Sequence, residues 1–182
     1  MSKADDRAKL EKLKGLRSRI IQEEYVDNWR EVWFFPKHRG VSGWRGTQDI
    51  IFVGLNPSKG HFPSQHDEFL YKQLKRNGFD RAHLTDIVKI KATRKGRGKL
   101  FQSEVTMLKH MSYLLEEIEI IHPRLVVVMG GKCRELLQEW LSEDVHKVRH
   151  MPHYAPQARI KEQRKNFRKR MKEIREEYDS HA

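Results

Sequence analysis

Two unbroken apolar runs, DIIFVGL (49–55) and RLVVVMGG (124–131), constrain the fold of this chain more than any other feature. A strand with one wet face alternates apolar and polar residues, so runs like these predict strands buried on both faces, as in parallel sheets. HLTDIVKI (83–90) reads as a further strand and DVHKVRHM (144–151) as a shorter, last one.

Helical patterns fall between and around these strands. Leu10, Leu13, Leu16, Ile20, Ile21 and Tyr25 stand near helical spacing among charges, which predicts one or two amphipathic helices over about residues 5–32. VWFFPKHRGVSGWRGTQ (32–48) reads as a loop. HDEFLYKQLKRN (66–77) predicts a short helix closed by Gly78. Val105, Leu108, Met111, Leu114, Leu115 and Ile118 predict a longer one over 102–121, punctuated by Pro123. KCRELLQEWL and a basic stretch at about 160–178 complete the set. Strands separated by helices imply a parallel sheet with helices on both faces. The expected fold is a three-layer α/β/α sandwich about a mostly parallel four-stranded sheet. At 182 residues, with no internal repeat and no low-complexity linker, residues 1–182 are expected to form one domain whose terminal helices flank the sheet.

In such sheets ligands bind beyond the carboxyl ends of the strands. That rule gathers GLNPSKG (54–60), the loop after Ile90, MGGK (129–132) and HMPHYAPQAR (150–159) at one edge. GLNPSKG is not a phosphate loop, because Gly54 and Gly60 are too far apart and His61 follows; nor does G-x-G-x-x-G follow any strand. The turn does offer a backbone that a ligand can approach closely at Gly54 and Gly60, and an amide on Asn56 that both orients water and donates a hydrogen bond. Asn-Pro is also common in plain structural turns. HMPHYAPQAR carries His150 and His153, and imidazole is the side chain best suited to stabilise or protonate a leaving group near neutral pH. The plain alternative is a solvated pair, and no metal-ligand spacing accompanies them.

Charge narrows the partner. Thirty-seven Lys and Arg against 25 Asp and Glu give a formal charge of +12, which attracts polyanions and points to nucleic acid, unless it is only a solvated basic surface. Cys133 is the one cysteine, which excludes an intrachain disulfide and a cysteine-ligated zinc or iron–sulfur site and suggests an intracellular setting. No run approaches the roughly 20 apolar residues of a membrane span, and the amino-terminal residues lack an apolar signal core, so a soluble protein is expected.

In their order along the chain, these segments resemble the uracil-DNA glycosylase superfamily over about residues 46–160. GLNPSKG is similar to the Gly-Ile-Asn-Pro-Gly motif of the mismatch-specific uracil and thymine glycosylases. HLTDIVKIKATRKGRGK (83–99) is similar to a strand ending in Thr-Asn with a Lys/Arg loop after it. HPRLVVVMGGKCRELL (122–137) looks like the Pro-x-x-(apolar)-Leu-Gly-x-x-Ala segment, and HMPHYAPQAR resembles the His-Pro-Ser loop. The Asn-Pro-Ser turn also resembles small proteins with Leu-Asn-Pro-Ser-Thr near their start.

The resemblance implies a monofunctional DNA glycosylase of base excision repair, acting as a monomer on a damaged or modified base, with DNA as partner, no membrane partner, and no cofactor or metal. The target nucleotide turns out of the duplex, the glycosidic bond breaks through a cationic sugar, and water completes the hydrolysis. Asn56 would position that water, by orientation rather than as a base. Aligning HYAP with His-Pro-Ser-Pro makes His153 the residue that stabilises the departing base; aligning MPHY with His-Pro-Ser-Tyr puts Met151 there and leaves His150 as a neighbouring substitute. The serine of that loop is missing either way. Phe62 either stacks on the extruded base or packs in the core. Ser58, Lys59, Arg94, Lys95, Arg97, Lys132 and Arg159 fall in edge loops, as phosphate contacts or as plain surface groups. Asp86 stands where many relatives carry an asparagine that reads uracil. An ionised carboxylate only accepts hydrogen bonds, so Asp86 either turns away as a structural cap or selects a base that presents donors. Two alternatives remain: a nucleic-acid-binding protein of the same fold without the chemistry, and a hydrolase of small nucleosides, which has little use for a +12 surface.

Overall fold

The computed structural model describes residues 3–24, 30–58, 60–92, 104–141, 147–155 and 159–180. Within them the order is α1 (Lys3–Glu23), β1 (Arg30–Val32), a 3₁₀ turn (Gly43–Arg45), β2 (Ile50–Gly54), α2 (Gln65–Arg76), β3 (His83–Asp86), β4 (Ile90–Ala92), α3 (Glu104–Ile121), β5 (Leu125–Met129), α4 (Gly131–Gln138), β6 (Val148–Met151) and α5 (Ile160–Ser180).

β3, β2, β5 and β6 form one sheet in that order, every pair parallel. The five helices flank it as a three-layer α/β/α sandwich, as the sequence predicts, with α1 packing on α3 and α2 on α5. β2 and β5 are the two unbroken apolar runs and lie side by side in the middle; every residue of both is buried. β6 forms an edge, and accordingly only its last residue, Met151, is fully buried. At the opposite end from the carboxyl termini of the strands, Arg124 pairs with Asp49 at 2.5 Å and lies 4.1 Å from the ring centroid of Tyr178, which fixes the last turn of α5 to the sheet. Among the described residues no helix is long and apolar enough to cross a membrane.

Two readings change. The helix predicted over 5–32 ends at Glu23, and Arg30–Val32 is a strand. HLTDIVKI is not one strand: β3 stops at Asp86, the chain bends, and β4 pairs antiparallel with β1 in a separate two-stranded sheet. The cause is Lys89. Its ammonium turns back on the bend and donates to Thr85 Oγ1 at 2.5 Å, the Asp86 carbonyl at 2.6 Å and Glu117 of α3 at 2.9 Å.

Glu117 is wholly buried and also accepts from Trp44 Nε1 at 2.8 Å. Burial pushes its carboxyl up, but Lys89 and His83 outweigh that and hold it at about 2. Its contribution to stability is therefore present above the usual carboxylate range and is lost only as pH falls toward 2. Glu117→Gln strands the Lys89 charge in the interior, and it is expected to lower stability by about 3–5 kcal/mol, measured as the urea unfolding midpoint at pH 7.

Candidate active site

Four segments meet beyond the carboxyl ends of the strands and line one cleft of about 590 Å³: Leu55–Ser58 after β2, Ser64–Asp67 at the start of α2, Met129–Cys133 between β5 and α4, and His153–Ala155 after β6. Asn56 is half-buried, and its Nδ2 donates to the Pro57 carbonyl at 3.0 Å. That bond fixes the amide plane and leaves the side-chain carbonyl as an acceptor.

His153 stands across the same cleft. The chain leaves β6 at Met151, whose carbonyl accepts from the Gly130 N–H at 3.0 Å, and turns the imidazole over the backbone of Gly130. Gly130 has φ +96°, and a Cβ there would sit 3.3 Å from His153 Cδ2, so glycine serves both the left-handed backbone and the close approach. The ring stacks on Tyr154 with centroids 4.8 Å apart. The Ala155 N–H donates to Nδ1 at 3.1 Å, which makes Nδ1 the acceptor and leaves the ring proton on Nε2. Although the side chain is exposed at the mouth, desolvation by the surrounding chain lowers its pKa, so the ring is neutral at pH 7.

The start of α2 supplies two cleft residues that sequence reasoning missed, His66 and Asp67. Ser64 caps the helix: Asp67 N–H donates to Ser64 Oγ at 3.2 Å, while Asp67 Oδ2 accepts from the Ser64 N–H at 2.8 Å. Tyr154 of the histidine loop and Asp67 of this cap line the same cleft. His66 Nδ1 is buried with no partner among the described residues. The readable signal was S-x-x-D at 64–67, a capping pattern placed directly after the Asn-Pro turn. Cys133 forms the floor at 1% exposure, with Sγ 3.6 Å from the Val53 carbonyl, and burial pushes its thiol far above its usual range.

Asp86 lies behind the cleft and does not line it. It is 5% exposed, paired in register with Gly54, and its Oδ2 has no partner among the described residues. Burial raises its pKa to about 7 against the pull of Lys89. The acceptor-only carboxylate assumed from the sequence is thus not the prevailing form below pH 7, where a neutral acid can donate as well as accept. Gly54 is what lets it fit: a Cβ at that position would lie 2.2 Å from Asp86 Oδ1. Gly54→Ala is expected to destabilise the fold by about 1–3 kcal/mol through overpacking, read from thermal unfolding at pH 7.

The remaining candidates divide. Ser58 and Lys132 line the cleft, both exposed. His150 faces a separate cleft of about 520 Å³ beside Arg134 and Arg170, so the structure brings His153 and not His150 to Asn56. Phe62 does not line the cleft; it packs with Trp33, His38 and Tyr71 at centroid distances of 5.8, 5.3 and 5.6 Å. Arg159 is exposed, 4.0 Å from Glu162, and also outside the lining. Lys59, Arg94, Lys95 and Arg97 lie outside the described residues.

A family model for the uracil-DNA glycosylase superfamily matches residues 45–177, which takes in every segment of the cleft. The chain belongs to that superfamily. No curated protein matches the sequence. Membership supports DNA glycosylase activity in general and DNA as the partner.

Proposed function

We propose that this superfamily member hydrolyses the N-glycosidic bond of a damaged or modified base in DNA, as a monofunctional glycosylase, with Asn56 and His153 as the groups that touch the reacting atoms. The observation that carries the reading is that both line one cleft at the carboxyl edge of the sheet. A base inside the stack is out of reach, so the nucleotide rotates into the cleft. As the bond from C1′ to the base nitrogen breaks, its electron pair leaves with the base. The Nε2–H of neutral His153 donates to the negative charge that develops there, a contribution made only as the bond breaks. The Asn56 carbonyl accepts from a water and holds it toward C1′; the water oxygen bonds to the cationic carbon and its proton passes to solvent. Ser58 and Lys132 at the lip receive flanking phosphates.

Asp86 does not line the cleft, so it would bear on the choice of base only where the base reaches past Gly54 to the buried acid. As a neutral acid beside Gly54 it donates and accepts, as an amide does; ionised, it favours a base edge that presents donors. Each step uses side chains and water, so activity is expected to persist in EDTA.

The test is a panel of duplex and single-stranded oligonucleotides carrying one uracil, hypoxanthine, xanthine or modified cytosine. Alkali-labile breaks at a lesion are the expected result; intact strands across the panel, with DNA bound, would refute catalysis. The missing serine in HMPHYAPQAR favours one other reading, a binder of the same fold, which predicts that second outcome.

A further inference from the structure

α5 is charged along its length in a way that covering a sheet does not require. Residues 161–172 hold seven Lys and Arg and a single carboxylate, Glu162. Its inward face, Phe167, Met171, Ile174 and Tyr178, is buried in the core. With its apolar side already used, the helix has none to insert into a membrane.

Lys161, Lys165, Arg168 and Lys172 recur at three- and four-residue spacing, so they share one flank, and all four are exposed. Glu162 and Glu173 lie toward the other flank and are engaged by Arg159, Lys169 and Arg170. None of the four shared-flank cations has a carboxylate within ion-pair distance among the described residues. A helix that balanced its charge for solubility alone would pair these too.

The flank also has a definite place in the fold. Arg168 lies 5.5 Å and the adjoining Arg164 4.9 Å from the ring centroid of Phe69, which packs on Phe167 and stands two residues beyond the cleft residue Asp67. The middle of the cationic row thus lies beside α2, whose first turn lines the cleft. From 161 to 172 the row extends about 16 Å, the axial rise of about five phosphates on one duplex strand.

We infer that this flank of α5 is a phosphate track that carries the DNA flanking the cleft. The identity of the polyanion rests on the glycosylase reading; the track itself rests on the unpaired row and its place beside α2. These contacts are to backbone, so they give affinity and salt dependence without sequence preference.

The experiment measures binding of undamaged fluorescent duplex DNA by anisotropy across a salt series. It compares the wild type with Lys161→Gln/Lys165→Gln/Lys172→Gln and with a matched triple on α1, Lys3→Gln/Lys12→Gln/Lys14→Gln. Arg164 and Arg168 stay intact because both stack on Phe69. The α5 triple is expected to weaken binding at least tenfold at low salt and to reduce the slope of log K against log salt by about 2–3, with unchanged circular dichroism melting. The α1 triple is expected to leave the slope unchanged. Equal losses in both triples, which would make net charge rather than placement the cause, overturn the track, as does unchanged binding by the α5 triple. An α5 triple that binds DNA normally but loses binding to a poly-glutamate peptide overturns it in favour of an acidic protein. No lesion is present, so failure here is distinct from failure to release a base in the oligonucleotide panel.

Discussion

Asn56→Ala is expected to slow base release about 10²–10³-fold in single-turnover reactions while leaving DNA affinity unchanged. The substitution removes an oriented acceptor at the cleft wall and little else, because the side chain is only half-buried and its one bond among the described residues is to the neighbouring Pro57 carbonyl. Saturating enzyme separates the chemical step from binding, so a weakened complex cannot imitate the effect. Asn56→Asp is the informative companion. It keeps an oxygen for the water and adds a group able to take its proton, and it should retain more activity than alanine. Wild-type rates from Asn56→Ala, with correct folding, would remove the residue from the mechanism.

Asp86→Asn carries the second large effect, on stability, and tests whether the buried acid takes any part in base choice. In the unfolded chain the carboxyl titrates near 4; in the fold burial moves it to about 7. Between those values the native state keeps a proton that the unfolded state has released, so stability falls as pH rises from about 4 to about 7. The full loss, on the order of 4 kcal/mol for about three units, is in place above pH 7. Asparagine has no proton to lose and leaves the Lys89–Glu117 pair intact. The variant is therefore expected to gain most at pH 8 and least at pH 4, as read from urea midpoints. If Asp86 selects the base, the wild type should change its ranking of lesions as pH passes 7, and Asp86→Asn should hold one ranking throughout. A ranking insensitive to both pH and substitution would leave Asp86 no part in selection.

The sequence made the middle of the sheet legible because β2 and β5 need no partner to be recognised: an unbroken apolar run is itself the signature of burial on both faces. It did not disclose the break between β3 and β4. HLTDIVKI has suitable strand composition throughout, and the bend is held by Lys89, one of whose acceptors, Glu117, lies 28 positions further on in another element. The edge rule for parallel sheets brought GLNPSKG, MGGK and HMPHYAPQAR to the cleft from sequence alone. It could not choose between two histidines three residues apart, because that depends on where β6 stops; ending at Met151, the strand keeps His150 within it and releases His153 into the turn. Phe62 was equally undecidable, since Trp33 and His38 come to it from a loop with no local periodicity.

The solitary thiol of the molecule doubles as a gauge of occupancy. Because Cys133 is sealed under the cleft in its unreactive, protonated form, an alkylating reagent must wait for that floor to open. Anything seated above it lengthens the wait, so the native-state labelling rate, followed by intact mass, reports filling of the cleft with no dye and no engineered residue.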